Sequence, residues 1–167
     1  MIRRHGARRG RPIRLAALAC AMFMSVQPAL NVGDKAAGTW VGRYTCGQGT
    51  TGLTLYVDEL PESRIAALFH FYADESNPDV PEGCFEMNGT FDQGTRHIEL
   101  RAGRWLLQPY GYVTVNLSGT MNGGTMTGSV IGPGCATFEL HPAGIRVPPE
   151  PAACRPKGSI VSALVQP

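Results

Sequence analysis

The sequence lacks the short motifs by which many enzymes are recognised. It contains no nucleophile elbow, no pair of histidines at metal-binding spacing and no phosphate-binding loop. The histidines beyond the first fifteen residues, His70, His97 and His141, are scattered along the chain. We therefore expect a protein that is not an enzyme and that holds no metal ion and no cofactor.

Charged residues are also scarce, at 17% of the chain, and they are unevenly placed. Six of the fifteen basic residues precede Leu15, whereas all thirteen acidic residues follow it. Without those six, nine basic residues remain and the net charge changes from +2 to about −4. The basic character belongs to the N-terminal segment, so we expect no binding to nucleic acid.

Long apolar runs are absent as well, since the longest is too short to span a bilayer as a helix of about 20 residues. This run, at 15–26, follows the basic segment, and the layout is typical of a secretory signal peptide. We expect a signal peptide at residues 1–29, a secreted or periplasmic mature form without a membrane span, and a bacterial source. A twin-arginine signal at Arg3 and Arg4 and a lipoprotein signal ending at Cys20 remain open.

What the sequence has in abundance is short stretches of alternating apolar and polar residues between glycine- and proline-rich turns. Leu53, Leu55 and Val57, for example, alternate with Thr54 and Tyr56, which is the period of a half-buried β-strand. Eight such stretches follow one another with tight connections. The pattern predicts an all-β fold, an eight-stranded antiparallel up-and-down barrel or a closely related sandwich.

The boundaries follow from the same pattern. We expect a linker at 30–38, the barrel domain at 39–140 and a proline-rich tail at 141–167. Within the barrel, the later strands are expected at 95–102, 112–120 and 135–140, with 103–111 as a connection.

Cysteine is scarce, and the five cysteines are informative. Cys20 belongs to the expected signal peptide, and the other four stand too far apart for zinc-ligand spacing. In an exported chain they indicate two disulfides, for which three pairings exist. We favour Cys46 with Cys135 and Cys84 with Cys154, because the first and last strands of a closed barrel are neighbours. Cys135 is out of register with the rest of the last strand, so we expect a β-bulge at the rim.

The start of the first strand resembles that of the calycin barrels. Gly38, Thr39 and Trp40 match the Gly-x-Trp or Gly-Thr-Trp that lipocalin and avidin barrels carry at this place. Together with the strand count, the resemblance implies a small barrel whose floor is closed by Trp40. Tyr44, in the same register as Trp40, is also expected to be structural. No biotin-binding or lipid-binding motif accompanies the match.

A second resemblance is to the bacterial inhibitors of C-type lysozyme, which are also eight-stranded. Tyr44, Thr45 and Cys46 would enter a small exported barrel, with a late cysteine available to bond Cys46. The resemblance implies inhibition of an exported hydrolase such as lysozyme. No counterpart of the inhibitory loops is recognisable in the sequence.

The connection at 103–111 differs from the other turns because it contains large side chains. Aromatic residues together with arginine are typical of binding hot spots. Two interpretations remain open: Trp105 and Leu107 cap the barrel as a lid, or the loop contacts a ligand or partner. The candidate binding residues are Arg104, Trp105, Gln108, Tyr110 and Tyr112.

The leading hypothesis is a non-enzymatic exported protein that binds a small apolar ligand or an exported protein through residues 103–112. The alternative is an inhibitor of an exported hydrolase such as lysozyme. Two weaker possibilities are an enzyme that uses His97 and Glu99, and a weak cation site in the acidic loop at 73–83. A barrel interior filled by side chains would favour a protein partner over a small ligand.

Overall fold

The computed structural model describes residues 35–144, 149 and 151–155. The expected signal peptide at 1–29, much of the linker and most of the tail lie outside these residues. Eight strands and one short 3₁₀ turn, Ala152–Cys154, make up the described elements. The strands are β1 (Gly38–Cys46), β2 (Gly49–Glu59), β3 (Arg64–Tyr72), β4 (Gly83–Asp92), β5 (His97–Leu107), β6 (Asn116–Asn122), β7 (Thr125–Ile131) and β8 (Thr137–Pro142).

The strands form a closed barrel in which each strand pairs antiparallel with the next along the chain. β1 and β8 close it, with a register that runs from Trp40 opposite Pro142 to Tyr44 opposite Phe138. This pairing satisfies the backbone hydrogen-bonding groups of β1 and β8, which as open edges could otherwise pair with strands of other chains. The predicted eight-stranded up-and-down barrel is confirmed, and the architecture is consistent with a calycin-like fold.

Up-and-down topology places alternate connections at opposite ends of the barrel. We call the end with the β1–β2, β3–β4, β5–β6 and β7–β8 connections the mouth, and the other end the floor. Gly123 and Gly124 adopt positive φ as the two central residues of the β6–β7 turn at the floor, between the paired Asn122 and Thr125. Residues 47–52 have the spacing G-x-G-x-x-G, but they join two antiparallel strands rather than a strand and a helix.

Trp40 lies buried at the floor. Its Nε1–H donates a hydrogen bond to the carbonyl oxygen of Ala36 at 2.9 Å, and the Ala36 N–H donates to Glu59 Oε1 at 2.9 Å. The segment before β1 therefore folds over the indole and is held by the end of β2. This contact closes the floor with protein atoms.

Side chains fill most of the interior. Three phenylalanines, Phe69, Phe71 and Phe85, are at most 1% exposed. Where Phe138 enters the core, the facing positions are glycines, and a Cβ on Gly128 would lie 2.8 Å from the Phe138 ring. The barrel is thus packed with side chains rather than hollow.

The end of β5 and the start of β6 differ from the sequence-based prediction. β5 continues to Leu107, so 103–107 is strand and not part of a loop, and β6 begins at Asn116 instead of Tyr112. β5 extends to Leu107 because it keeps pairing with β4, although the register of that pair shifts on both sides of Phe85 and leaves Trp105 opposite that ring. Such bulges bend a strand without ending it.

Both predicted disulfides are present, Cys46–Cys135 and Cys84–Cys154. Cys135 lies before β8, which begins at Thr137, so the β7–β8 connection absorbs the change of register. The β-bulge that we expected in the last strand is therefore unnecessary, and the prediction of β8 at 135–140 was two residues early. Two disulfides are typical of proteins that fold in an oxidising compartment.

Among the described residues, no helix has the length and apolar character needed to cross a membrane.

Candidate binding site at the barrel mouth

A cavity of about 220 Å³ opens at the mouth. It lies between the β1–β2, β5–β6 and β7–β8 connections, above the packed core. The residues that line it are Tyr44, Cys46, Gln48, Phe69, Phe71, Phe85, Gly111, Tyr112, Val113, Val115, Pro133 and Cys135.

The walls of the cavity are mainly aromatic rings that hold one another in place. Phe71 and Tyr112 stack with ring centroids 5.4 Å apart, and Phe69 and Phe85 stack at 4.7 Å. Tyr44 meets Phe69 edge-on at 5.3 Å. Offset-stacked and edge-to-face pairs stabilise such a cluster beyond the burial of its area. The cavity therefore has preformed walls.

Trp105 supports these walls from behind. Its indole is half-buried and meets Phe85 edge-on at 4.9 Å and Phe71 at 6.2 Å. Of the two interpretations of Trp105, packing describes its position better than direct contact, because the indole is absent from the cavity lining. Leu107 packs elsewhere, against the cluster around Cys84 and Cys154 on the outer wall.

One edge of the cavity is polar. Gln48 Nε2 donates hydrogen bonds to Tyr44 Oη at 3.0 Å and to Thr51 Oγ1 at 3.3 Å. Burial raises the pKa of the Tyr44 phenol well above its ordinary value, so this hydroxyl is neutral at physiological pH. None of the described lining residues carries a charge.

A tight turn at 109–112 shapes the rim beside the cavity. The Tyr112 N–H donates to the Pro109 carbonyl oxygen at 3.2 Å, and Gly111 has a φ of 79°. A turn with positive φ at its third position favours glycine there. Tyr110 stands at the second position and is fully exposed, while Tyr112 turns inward onto Phe71.

Gln108 supports this turn and does not face the cavity. Its Nε2 donates to the Tyr112 carbonyl oxygen at 3.0 Å. The connection from β5 to β6 is thus held by side-chain and backbone hydrogen bonds.

No protein-family model matches the chain, and no curated protein matches its sequence. The calycin resemblance therefore rests on the barrel itself and on the residues around Trp40. The lysozyme-inhibitor resemblance rests on the segment that ends at Cys46.

Arg104, the remaining candidate, lies on the outer wall. Its guanidinium contacts the Glu86 carboxylate with two hydrogen bonds, of 2.7 and 3.0 Å. The hydrogen bond from Arg104 lowers the pKa of Glu86. The five candidate residues therefore fall into four places: Tyr112 in the cavity wall, Trp105 behind it, Gln108 and Tyr110 at the rim, and Arg104 on the outer face.

The acidic loop between β3 and β4 is hydrogen-bonded to β1 and to the β1–β2 connection at the mouth. Hydrogen bonds from Ser76, together with Arg43, hold the pKa of Asp74 below its usual range. The Asn77 side chain donates to the carbonyl oxygens of Gln48 and Thr50. Within the described residues, no group of three or more His, Cys, Asp or Glu side chains is placed to hold a metal ion.

His97 and Glu99, the pair of the enzyme alternative, lie on the outer wall. His97 Nε2 is 3.5 Å from Glu99 Oε1, and both side chains are about half exposed. Both side chains project from the outer side of β5, on the face opposite the buried Ile98 and Leu100. His70, by contrast, is fully buried on the outer side of β3, with Nε2 2.8 Å from Glu82 Oε1.

Gln48, Val113 and Val115 line the cavity and were missed by sequence reasoning. Gln48 sits in a glycine-bracketed turn that reads as an ordinary hairpin connection. The two valines belong to the stretch that was predicted to be strand. The available signal was that Val113 and Val115 follow a Pro-Tyr-Gly turn, which can end a strand and delay the next one.

Proposed function

We propose that this chain is a non-enzymatic exported binding protein that contacts another exported protein through the barrel mouth. The two disulfides support a location outside the cytoplasm, because such bonds persist in oxidising compartments. The packed interior supports a protein partner rather than an enclosed ligand.

The observation that carries the proposal is the distribution of exposed apolar side chains. Among the described residues, four large hydrophobic side chains are exposed, and three belong to the mouth: Tyr110, Val113 and Ile131. Tyr110 is 104% exposed at the tip of its turn and Val113 is 63% exposed at the cavity edge. Exposed apolar groups around a pocket are typical of protein interaction sites.

The size of the cavity favours the same conclusion. Sites for drug-sized ligands measure roughly 300 to 1,000 Å³. The mouth cavity, at about 220 Å³, is smaller and is open at the surface. It suits one inserted side chain of a partner whose remaining surface rests on the rim.

The test compares a variant that removes exposed apolar side chains at the mouth with a control that removes one at the floor. Tyr110→Ser/Val113→Ser changes the mouth, and Leu60→Ser changes the fourth exposed hydrophobic residue, at the floor. Each protein is used to capture partners from the envelope and extracellular fractions of the source organism, and the captured protein is then purified. We expect the mouth variant to weaken its binding at least about tenfold, as for hot-spot residues, and Leu60→Ser to leave it unchanged.

Equal binding of the purified partner by wild type and the mouth variant would refute the proposal. Circular dichroism and unfolding curves of both variants establish that the folds are intact, so a loss of binding cannot be attributed to unfolding.

Inhibition of an exported hydrolase is the second candidate, and the Cys46–Cys135 bond is the observation that favours it. This bond joins the first strand to the entry of the last, as the resemblance to lysozyme inhibitors implies. An assay of C-type lysozymes with micromolar wild-type protein tests it directly. Full lysozyme activity at that concentration would remove lysozyme as the partner while leaving binding at the mouth to be tested by capture.

A further inference from the structure

We propose that the mouth cavity receives the side chain of a tyrosine presented by the partner protein, an assignment that rests on the proposed function. The walls, the charge and the polar edge of the cavity each restrict the group that fits.

The walls favour a single flat ring. Phe71 and Tyr112 form one stacked pair and Phe69 and Phe85 another, so the inserted group meets aromatic faces and edges. A six-membered ring offers stacking surface at low conformational cost, because few torsions must be fixed. The volume of about 220 Å³ accommodates one inserted aromatic side chain.

The absence of charge among the described lining residues excludes charged groups. A carboxylate, ammonium or guanidinium that entered would lose its hydration without gaining a counter-charge, which is costly. The nearby Tyr44 phenol stays neutral, since burial raises its pKa. Electrostatic complementarity therefore requires an uncharged occupant.

The polar edge distinguishes tyrosine from phenylalanine. Both hydrogen bonds of the Gln48 amide to Tyr44 and Thr51 are made by Nε2. Oε1 has no hydrogen bond from the described residues and remains an acceptor beside the cavity. A phenol hydroxyl can donate to Oε1, whereas a benzyl ring leaves it unpaired.

The experiment uses short blocked peptides of the form acetyl-Ala-Xaa-Ala-amide, with Xaa as Tyr, Phe, Trp or Glu, titrated into the full chain and followed by NMR. We expect the tyrosine peptide to bind roughly 3- to 10-fold more tightly than the phenylalanine peptide, the ratio that one neutral hydrogen bond supplies. The glutamate peptide should not bind. The difference between Tyr and Phe should vanish in Gln48→Met and persist in Gln93→Met, a matched change at the floor.

A phenylalanine or tryptophan peptide that binds as tightly as the tyrosine peptide would overturn the assignment, as would a Tyr preference that survives Gln48→Met. Titration with p-cresol distinguishes a tyrosine side chain of a partner protein from a free small phenol as the occupant. If p-cresol binds more tightly than the tyrosine peptide, the occupant is a free small phenol and the protein side chain is excluded.

The two proposals fail separately. A partner that depends on Tyr110 and Val113, combined with no tyrosine preference, overturns only the assignment of the inserted group. Tyrosine-selective binding, combined with a partner insensitive to Tyr110 and Val113, overturns only the proposed function.

Discussion

Trp105 shows how a residue that looks like a binding hot spot can act as a support. Its indole packs behind Phe71 and Phe85, which form the cavity wall, and does not reach the cavity itself. The residue composition at 103–112 is typical of interfaces, and the binding role that it predicts for Trp105 stays a prediction beside this observed packing role. Tyr110, in the turn that follows β5, is by contrast fully exposed.

The supporting role of Trp105 and the exposed position of Tyr110 should produce different losses in the free energy of unfolding when each residue is replaced by alanine. Trp105→Ala should lower the free energy of unfolding by about 2 to 3 kcal/mol, somewhat less than for a fully buried ring, because the indole is half-buried. Tyr110→Ala should change it by no more than about 0.5 kcal/mol, as expected for an exposed side chain. Urea unfolding curves of both variants measure the two values. Equal losses would contradict the distinction between support and rim.

Because the phenol of Tyr44 is buried, the protein should lose stability at alkaline pH. Burial raises its pKa in the folded state above the ordinary value of 10.0, so above that pH the unfolded chain releases a proton that the folded chain retains. Stability is then complete below about pH 10 and decreases as the pH rises further. Tyr44→Phe should reduce this decrease, although part of it should remain because burial also raises the pKa of Tyr72.

Unfolding curves at about pH 9 and about pH 11 test this prediction, since the two values lie on either side of the unfolded-state pKa. The wild type should lose more stability between them than Tyr44→Phe. An identical loss in both proteins would show that the Tyr44 phenol does not control the alkaline response.

At the scale of elements, the strands with regular alternation were predictable and the irregular ones were not. β2 was recognised from its period of two between turns, with Leu53, Leu55 and Val57 facing the interior. β5 was cut short because Gly103 resembles a turn residue, whereas in the structure it lies inside the strand, next to Glu86 of β4. Bulges depend on the partner strand, and single-strand periodicity contains no information about them.

The packing partners of the outer wall were unpredictable for a related reason. The apolar run at 64–72 favours a strand buried on both faces, and Leu68 and His70 on the outer side of β3 are buried as expected. Leu68 packs with Cys84 and Cys154, and His70 contacts Glu82 of the β3–β4 loop. This second layer arises from segments distant in sequence, so only the three-dimensional fold reveals it.

The two disulfides should differ in their accessibility to reductants. Cys84 and Cys154 are both 0% exposed, whereas Cys135 is partly exposed in the cavity lining. A thiol reductant needs access to a sulfur atom, so mild reduction under native conditions should open Cys46–Cys135 first. Alkylation followed by mass spectrometry identifies the reduced pair. Earlier labelling of Cys84 and Cys154 would contradict the described burial.

At the scale of the whole molecule, the fold followed from the sequence because many weak signals agreed. Eight alternating stretches, short turns and an even number of remaining cysteines all fit one closed barrel, and the pairing of Cys46 with Cys135 followed from the neighbouring first and last strands. The candidate site depended instead on which connections meet at one end. Gln48, Val113 and Val115 come together only through closure, so no local pattern marked them.

The central claim is that binding takes place at the mouth of a barrel whose interior is otherwise filled. The most direct measurement is methyl NMR of the full chain during titration with the acetyl-Ala-Tyr-Ala-amide peptide. Saturable shifts of the Val113 and Val115 methyl groups, with Val57 and Ile65 near the floor unchanged, are the predicted result. Saturable shifts centred on Val57 and Ile65, with Val113 and Val115 unchanged, would contradict the claim.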